Sequence, residues 1–103
     1  MSEVVTMGIT LSDLRREREQ IKRVAQKYGA SNIRVFGSVS RGEEGPKSDI
    51  DFLIDFEADR SLLDLVGLKL ELEELLGYKV DLVTEKAMHR LIAVQVIKEA
   101  VPL

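Results

Sequence analysis

The chain has 103 residues, no cysteine and a formal net charge of −3, with 45% apolar and 32% charged residues. That length suits a single domain over residues 1–103, the composition excludes global disorder, and the lack of cysteine excludes disulfides and thiolate metal sites and fits a cytoplasmic setting. A pI near 5.2 argues against a DNA or RNA template as ligand, since a protein living on nucleic-acid phosphates shows a basic face.

Residues 1–9 carry no clear period and are expected to be loose or a short strand. Met1-Ser2-Glu3-Val4-Val5 has no basic region ahead of a long apolar core, so no signal peptide is expected. No window approaches the roughly 18 apolar residues of a membrane span. Thr10 followed by Asp13 resembles a capping box and predicts a helix start near Thr10 or Ser12. Leu14, Ile21, Val24, Ala25 and Tyr28 then recur at helical spacing, and Gly29 is a natural stop. Arg15, Arg16, Arg18, Lys22 and Arg23 interleave with Asp13, Glu17 and Glu19, which reads as a solvated helix face.

A first strand is predicted over Ile33–Phe36, ended by Gly37-Ser38, with a short helical turn over Val39–Arg41. Residues 42–48, with Gly45-Pro46, read as loop. A second strand, Asp49–Phe56, leaves through the polar run Glu57-Ala58-Asp59-Arg60. Ser61 and Asp64 form a second capping box for a helix to about Leu76, closed by Gly77. A third strand spans Lys79–Val83. Thr84 then caps a last helix to about Ala100. This order predicts an α+β fold, a small mixed β-sheet of three or so strands packed against α-helices.

The last two helices are richer in apolar residues than a small sheet can cover. One stripe of the first has Leu62, Leu65, Leu68, Leu72 and Leu75, and a second has Leu63, Val66 and Leu70. The final helix, with Met88, Leu91, Ile92, Ala93, Val94, Val96 and Ile97, is apolar nearly all round and is expected to be buried on several sides, against a protein partner, self or other, or inside a tightly wrapped core.

The second strand carries the chemistry. Side chains alternate across a strand, so Asp49 and Asp51 project together while Ile50, Phe52 and Ile54 face the core. Two carboxylates about 7 Å apart can converge on one ion or bracket two. Such a pair suits Mg²⁺, which completes its shell with water and phosphate oxygens, and a two-metal arrangement serves phosphoryl or nucleotidyl transfer. Asp81 stands alone among apolar neighbours in the third strand. If that strand lies beside the second, Asp81 joins the pair; otherwise it is an edge-strand charge. Gly37 allows backbone amides to approach a phosphate, Ser38 adds a hydroxyl donor, and Arg41 offers a planar fork to phosphate oxygens. His89, the single histidine, reads as a packed side chain, and Lys47 as a flexible surface lysine.

The run Gly37-Ser38-x-x-Arg41-Gly42, then Ser48-Asp49-Ile50-Asp51, resembles the signature of the DNA polymerase beta-type nucleotidyltransferase superfamily, and within it the minimal nucleotidyltransferases of bacteria and archaea. The resemblance implies the nucleotidyltransferase fold, with Gly37, Ser38, Arg41 and Ser48 at the nucleotide, though it leaves the role of Arg41 open. It implies Asp49, Asp51 and Asp81 as the metal-binding and catalytic acids, Asp81 helping to activate the attacking hydroxyl. Mg²⁺ is the implied cofactor, with Mn²⁺ as an alternative, and ATP or another NTP the donor. It further implies an antitoxin role beside a helical HEPN-domain toxin, some family members moving AMP from ATP to a toxin tyrosine; a homodimer is the other implied use of the apolar helices. The alternative is a catalytically vestigial antitoxin or binding subunit that neutralises its partner by association. No segment offers the fingers or template-binding domain of a polymerase.

Overall fold

The computed structural model describes residues 9–42, 49–88 and 90–103. Ser48, Lys47 and His89 therefore lie outside the described residues, as does the first segment up to residue 8. Ile9 is described and is buried in the core.

Thr10 caps helix α1 (Leu11–Arg16) with the expected capping box. The Asp13 amide donates to Thr10 Oγ1 at 3.1 Å and the Thr10 amide donates to Asp13 Oδ2 at 3.0 Å. The predicted continuous helix then breaks. Glu17 takes a turn conformation, and α2 runs from Arg18 to Lys27. No side chain caps the break, and the seven-residue spacing from Leu14 to Ile21 continues across it, so the sequence carries no sign of it.

Strand β1 is longer than expected, Ala30–Phe36, with a bulge between Ser31 and Arg34 where Asn32 has a φ of 50°. Residues after it form a run of tight turns, not a helix: the Arg41 amide donates to the carbonyls of Gly37 and Ser38, and the Gly42 amide to Val39. Strand β2 (Ile50–Phe56) pairs antiparallel with β1. Helix α3 (Leu62–Leu76) begins on the Ser61–Asp64 capping box and ends at Gly77, whose φ of 78° closes the helix in the left-handed region. It crosses over to β3 (Val80–Thr84), which therefore lies parallel to β2.

The predicted last helix is two pieces. Thr84 caps only a 3-10 turn, Glu85–Ala87, by accepting from the Ala87 amide, and helix α4 covers Arg90–Glu99. Beyond it Val101–Pro102 forms a short edge strand, β4, antiparallel to β1, completing a four-stranded sheet in the order β3-β2-β1-β4. A two-residue strand containing proline has no alternation to read, and proline is tolerated there because the edge needs no donor from it. Arg15 and Arg18 hold this tail through the carbonyl oxygens of Pro102 and Leu103.

One sheet face carries the core. Val35, Ile50, Phe52, Ile54 and Val80 join Leu14, Ile21 and Ala25 from α1 and α2, and Leu68 and Leu72 from α3. Tyr28 closes the side of this layer: its hydroxyl donates to Glu71 Oε1 at 2.7 Å. A Cβ on Gly67 would stand 2.7 Å from the Tyr28 ring, so a mid-helix glycine is what admits the tyrosine.

The last two helices do carry apolar surface that the sheet leaves uncovered, and the alternative of a tightly wrapped core is the part corrected. Leu65, Leu68, Leu72 and Leu75 of α3 face inward, but Leu62 is 74% exposed and Leu63 81%. Val66 and Leu70 are exposed with them, as are Ile92, Val94 and Ile97 of α4. The sheet is too small to cover both helices. No helix among the described residues is long and apolar enough to cross a membrane.

Candidate active site

The face of β2 opposite the core bears Asp51, Leu53 and Asp55. Residues paired in register share a face, so Phe36 of β1, Asp51 and Asp81 of β3 stand in one row across three strands, and Arg34, Leu53 and Val83 in the next. The condition on Asp81 is thereby met: β3 lies beside β2, and Asp81 is the direct register partner of Asp51. Asp49, just ahead of β2, is exposed, and Asp51 is partly buried.

Asp51 carries the electrostatic signature of the site. Burial, then the charges of Asp81 and Asp49, push its carboxyl up to about 6, against a smaller downward pull from Arg41. Asp51 thus feels the other two acids and the arginine through space. No group of three or more carboxylate or imidazole side chains among the described residues is closed around a metal position. The chemistry of the donor set still fits a hard divalent cation: three carboxylates, two of them in register on neighbouring strands, with Asp51 in a setting where a cation would offset both burial and repulsion.

Gly37 belongs to the same arrangement. Its φ is +76°, and a Cβ there would lie 2.3 Å from Asp51 Oδ2. The glycine is required twice, by the left-handed backbone and by the carboxylate lying against it. Ser40 Oγ donates to the Gly37 carbonyl at 2.8 Å and tightens the turn. Among the described residues no hydrogen-bond acceptor takes the amides of Ser38, Val39 or Ser40, in the loop that the sequence assigns to phosphate. Val39, within that loop, is only 2% exposed and packs into the core. This anchor was missed at the sequence level; its signal was an apolar residue inside a polar loop. Arg41 is exposed and pairs through Nη1 with Glu99 Oε1 of α4 at 2.9 Å.

Lower on the same face Arg34 is a second organiser. Its side chain is 11% exposed and bridges Asp55 of β2 at 3.0 Å and Glu85, just after β3, at 2.5 Å. Asp55 is therefore engaged in a clamp across the sheet and stands apart from the acidic row, as its distance along the strand implies. A cleft of about 490 Å³ opens near that end, lined by Asp55, Glu57, Arg60 and Lys86. Arg60 is paired with Glu57 at 3.1 Å, and neither Asp51 nor Asp81 lines the cleft; the acidic row lies at the other end of β2 and β3.

Residues 17–103 match the family described as Nucleotidyltransferase domain. The chain belongs to the nucleotidyltransferase family. Among its relatives, a protein of Methanocaldococcus jannaschii is 43% identical over 84 residues, 82% of this chain and 90% of its own. The protein adenylyltransferase MntA of Thermococcus cleftensis is 44% identical over 80 residues, 78% of this chain and 81% of its own. A solved structure described as that of a minimal nucleotidyltransferase superposes with a TM-score of 0.83 at 46% identity, covering 92% of this chain and 97% of that one. A toxin–antitoxin structure with AMP-PNP has a TM-score of 0.70 at 23% identity, over 82% of this chain and 69% of that one, a likeness of fold. The α+β architecture and the minimal nucleotidyltransferase identity expected from the motif both hold.

Proposed function

We propose that this nucleotidyltransferase moves a nucleoside monophosphate, AMP from ATP, onto a hydroxyl of a partner protein, and that Asp49, Asp51 and Asp81 are its catalytic acids. The observation that carries the reading is the row Asp51–Asp81 on adjacent parallel strands, with Gly37 packed against Asp51. The three carboxylates would hold Mg²⁺, or Mn²⁺ in its place, which when bound neutralises phosphate charge and lowers the barrier at phosphorus. The loop from Gly37 to Arg41, with Ser48, holds the triphosphate so that the α-phosphorus faces the acceptor. The acceptor oxygen forms its bond to the α-phosphorus as the bond to the bridging β-phosphate oxygen breaks. Asp81, exposed on its strand, takes the hydroxyl proton, and pyrophosphate leaves.

The acceptor is proposed to be a helical HEPN-domain toxin for which this chain is the antitoxin. The name of the Thermococcus cleftensis relative, a protein adenylyltransferase, and the toxin–antitoxin structures of like fold support that choice. The exposed leucines of α3 and apolar residues of α4 offer a docking surface, and a homodimer would use the same surface. The absence of cysteine supports a cytoplasmic setting. Incubation with α-labelled ATP, Mg²⁺ and the partner should label the partner; no transfer by the wild-type pair would overturn the reading. The exposed apolar surface also favours a second reading, neutralisation by association alone. Asp49→Ala with Asp51→Ala separates the two, because a pure binder still neutralises.

A further inference from the structure

Arg41 belongs to the nucleotide loop by sequence, yet its ion-pair partner Glu99 lies 58 residues further on, at the end of α4. The two side chains are 46% and 34% exposed. An ion pair so open to water contributes little to stability, so its placement calls for another reason. The backbone of Arg41 is tied to the loop, its amide donating to the carbonyls of Gly37 at 3.3 Å and Ser38 at 3.2 Å. Gly37 of the same loop lies against the Asp51 carboxylate, where a Cβ would stand 2.3 Å from Oδ2. Arg41 thus links the loop beside Asp51 to a helix that contributes no residue to the family motif.

We propose that Glu99 is a positioning residue for nucleotide binding: it holds the Arg41 guanidinium where the phosphates of the NTP arrive. An arginine side chain has many rotamers, and fixing it at the moment of binding lowers affinity; a carboxylate that already holds it removes part of that cost. The inference rests on the nucleotide-site reading above and adds α4 to that site. It also gives α4 a stake in the site independent of its exposed apolar side chains.

Calorimetric titration of the full chain with AMP-PNP and Mg²⁺ tests it directly. Glu99→Ala is expected to weaken AMP-PNP by about tenfold, and Glu99→Gln, which keeps a hydrogen bond without the charge, by less. The thermal midpoint of Glu99→Ala should stay close to that of wild type, which a merely structural role would not allow together with lost affinity. In the Arg41→Ala background Glu99→Ala should cost nothing further, because its effect runs through the arginine. Wild-type affinity in Glu99→Ala, or full additivity with Arg41→Ala, overturns the proposal. A wild-type chain that binds no AMP-PNP overturns the nucleotide-site reading itself and this inference with it, an outcome distinct from wild-type binding that is indifferent to Glu99.

Discussion

Asp51→Asn should stabilise the metal-free protein, although it removes the central acid of the site. In the fold the Asp51 carboxyl is pushed up to about 6 from an ordinary 3.8, first by burial and then by Asp81 and Asp49. Its neutral form is therefore favoured in the native state. Between pH 3.8 and 6 the native chain binds more protons at this group than the unfolded chain, so stability falls as pH rises through that window and stays at the lower level above it. The full shift would correspond to about 3 kcal/mol at 1.36 kcal/mol per unit. Asp51 is only partly buried, and solvent screening reduces this to about 1–2 kcal/mol. For a chain of this size that is a rise of roughly 5–10 °C in midpoint at pH 8, with little gain at pH 3.5. Thermal unfolding in EDTA from pH 3.5 to 8 reads it. Mg²⁺ should raise the wild-type midpoint at pH 8 and do so far less in Asp51→Asn. An Asp51→Asn protein no more stable than wild type at pH 8 would refute the account of this carboxylate as a strained, cation-seeking group.

Gly37→Ala should abolish nucleotide transfer and AMP-PNP binding together, since the methyl group would overlap Asp51 Oδ2 and the positive φ resists a side chain; calorimetry and a transfer assay check it, and near-wild-type binding would contradict the packing. Gly67→Ala, which in an open helix would add about 1 kcal/mol, should instead lower the midpoint because the Tyr28 ring is in the way; in a Tyr28→Ala background the same change should raise it. Arg34→Met should cost about 1–2 kcal/mol in urea unfolding, since it leaves Asp55 and Glu85 facing each other without their shared cation.

The parts of the site that obey strand parity were legible in the sequence. Asp49 and Asp51 at i and i+2 on an otherwise apolar strand could be placed on one face without any coordinates, and Ile50, Phe52 and Ile54 went to the core as alternation requires. Asp81 could be placed only conditionally, because strand order is a long-range property; the register of β3 on β2 decides it. Leu53 breaks the simple alternation. It is fully buried although it shares the face of the acids, and it lies outside the main core cluster beside its register partners Arg34 and Val83. The break at Glu17, the two-residue β4 and the link from Glu99 to Arg41 left no local pattern. Each depends on where distant segments meet, and neither hydrophobic period nor capping chemistry encodes that.

The two faces of β2 account for why stability and chemistry can coexist on so small a sheet. The core face buries Ile50, Phe52 and Ile54 almost completely, each contributing roughly 1.5–3 kcal/mol of transfer free energy. That is ample to offset the strain concentrated at Asp51 on the opposite face. The charges there are also segregated along the strand: Asp55 is satisfied by Arg34, whereas the pull of Arg41 on Asp51 is outweighed by burial and by Asp81 and Asp49. A clamp as close as that of Arg34 at the Asp51 row would remove the repulsion that a bound cation would otherwise offset. Holding Arg41 at the rim through Glu99 leaves the acids short of positive charge while keeping a guanidinium near the loop that would receive phosphates.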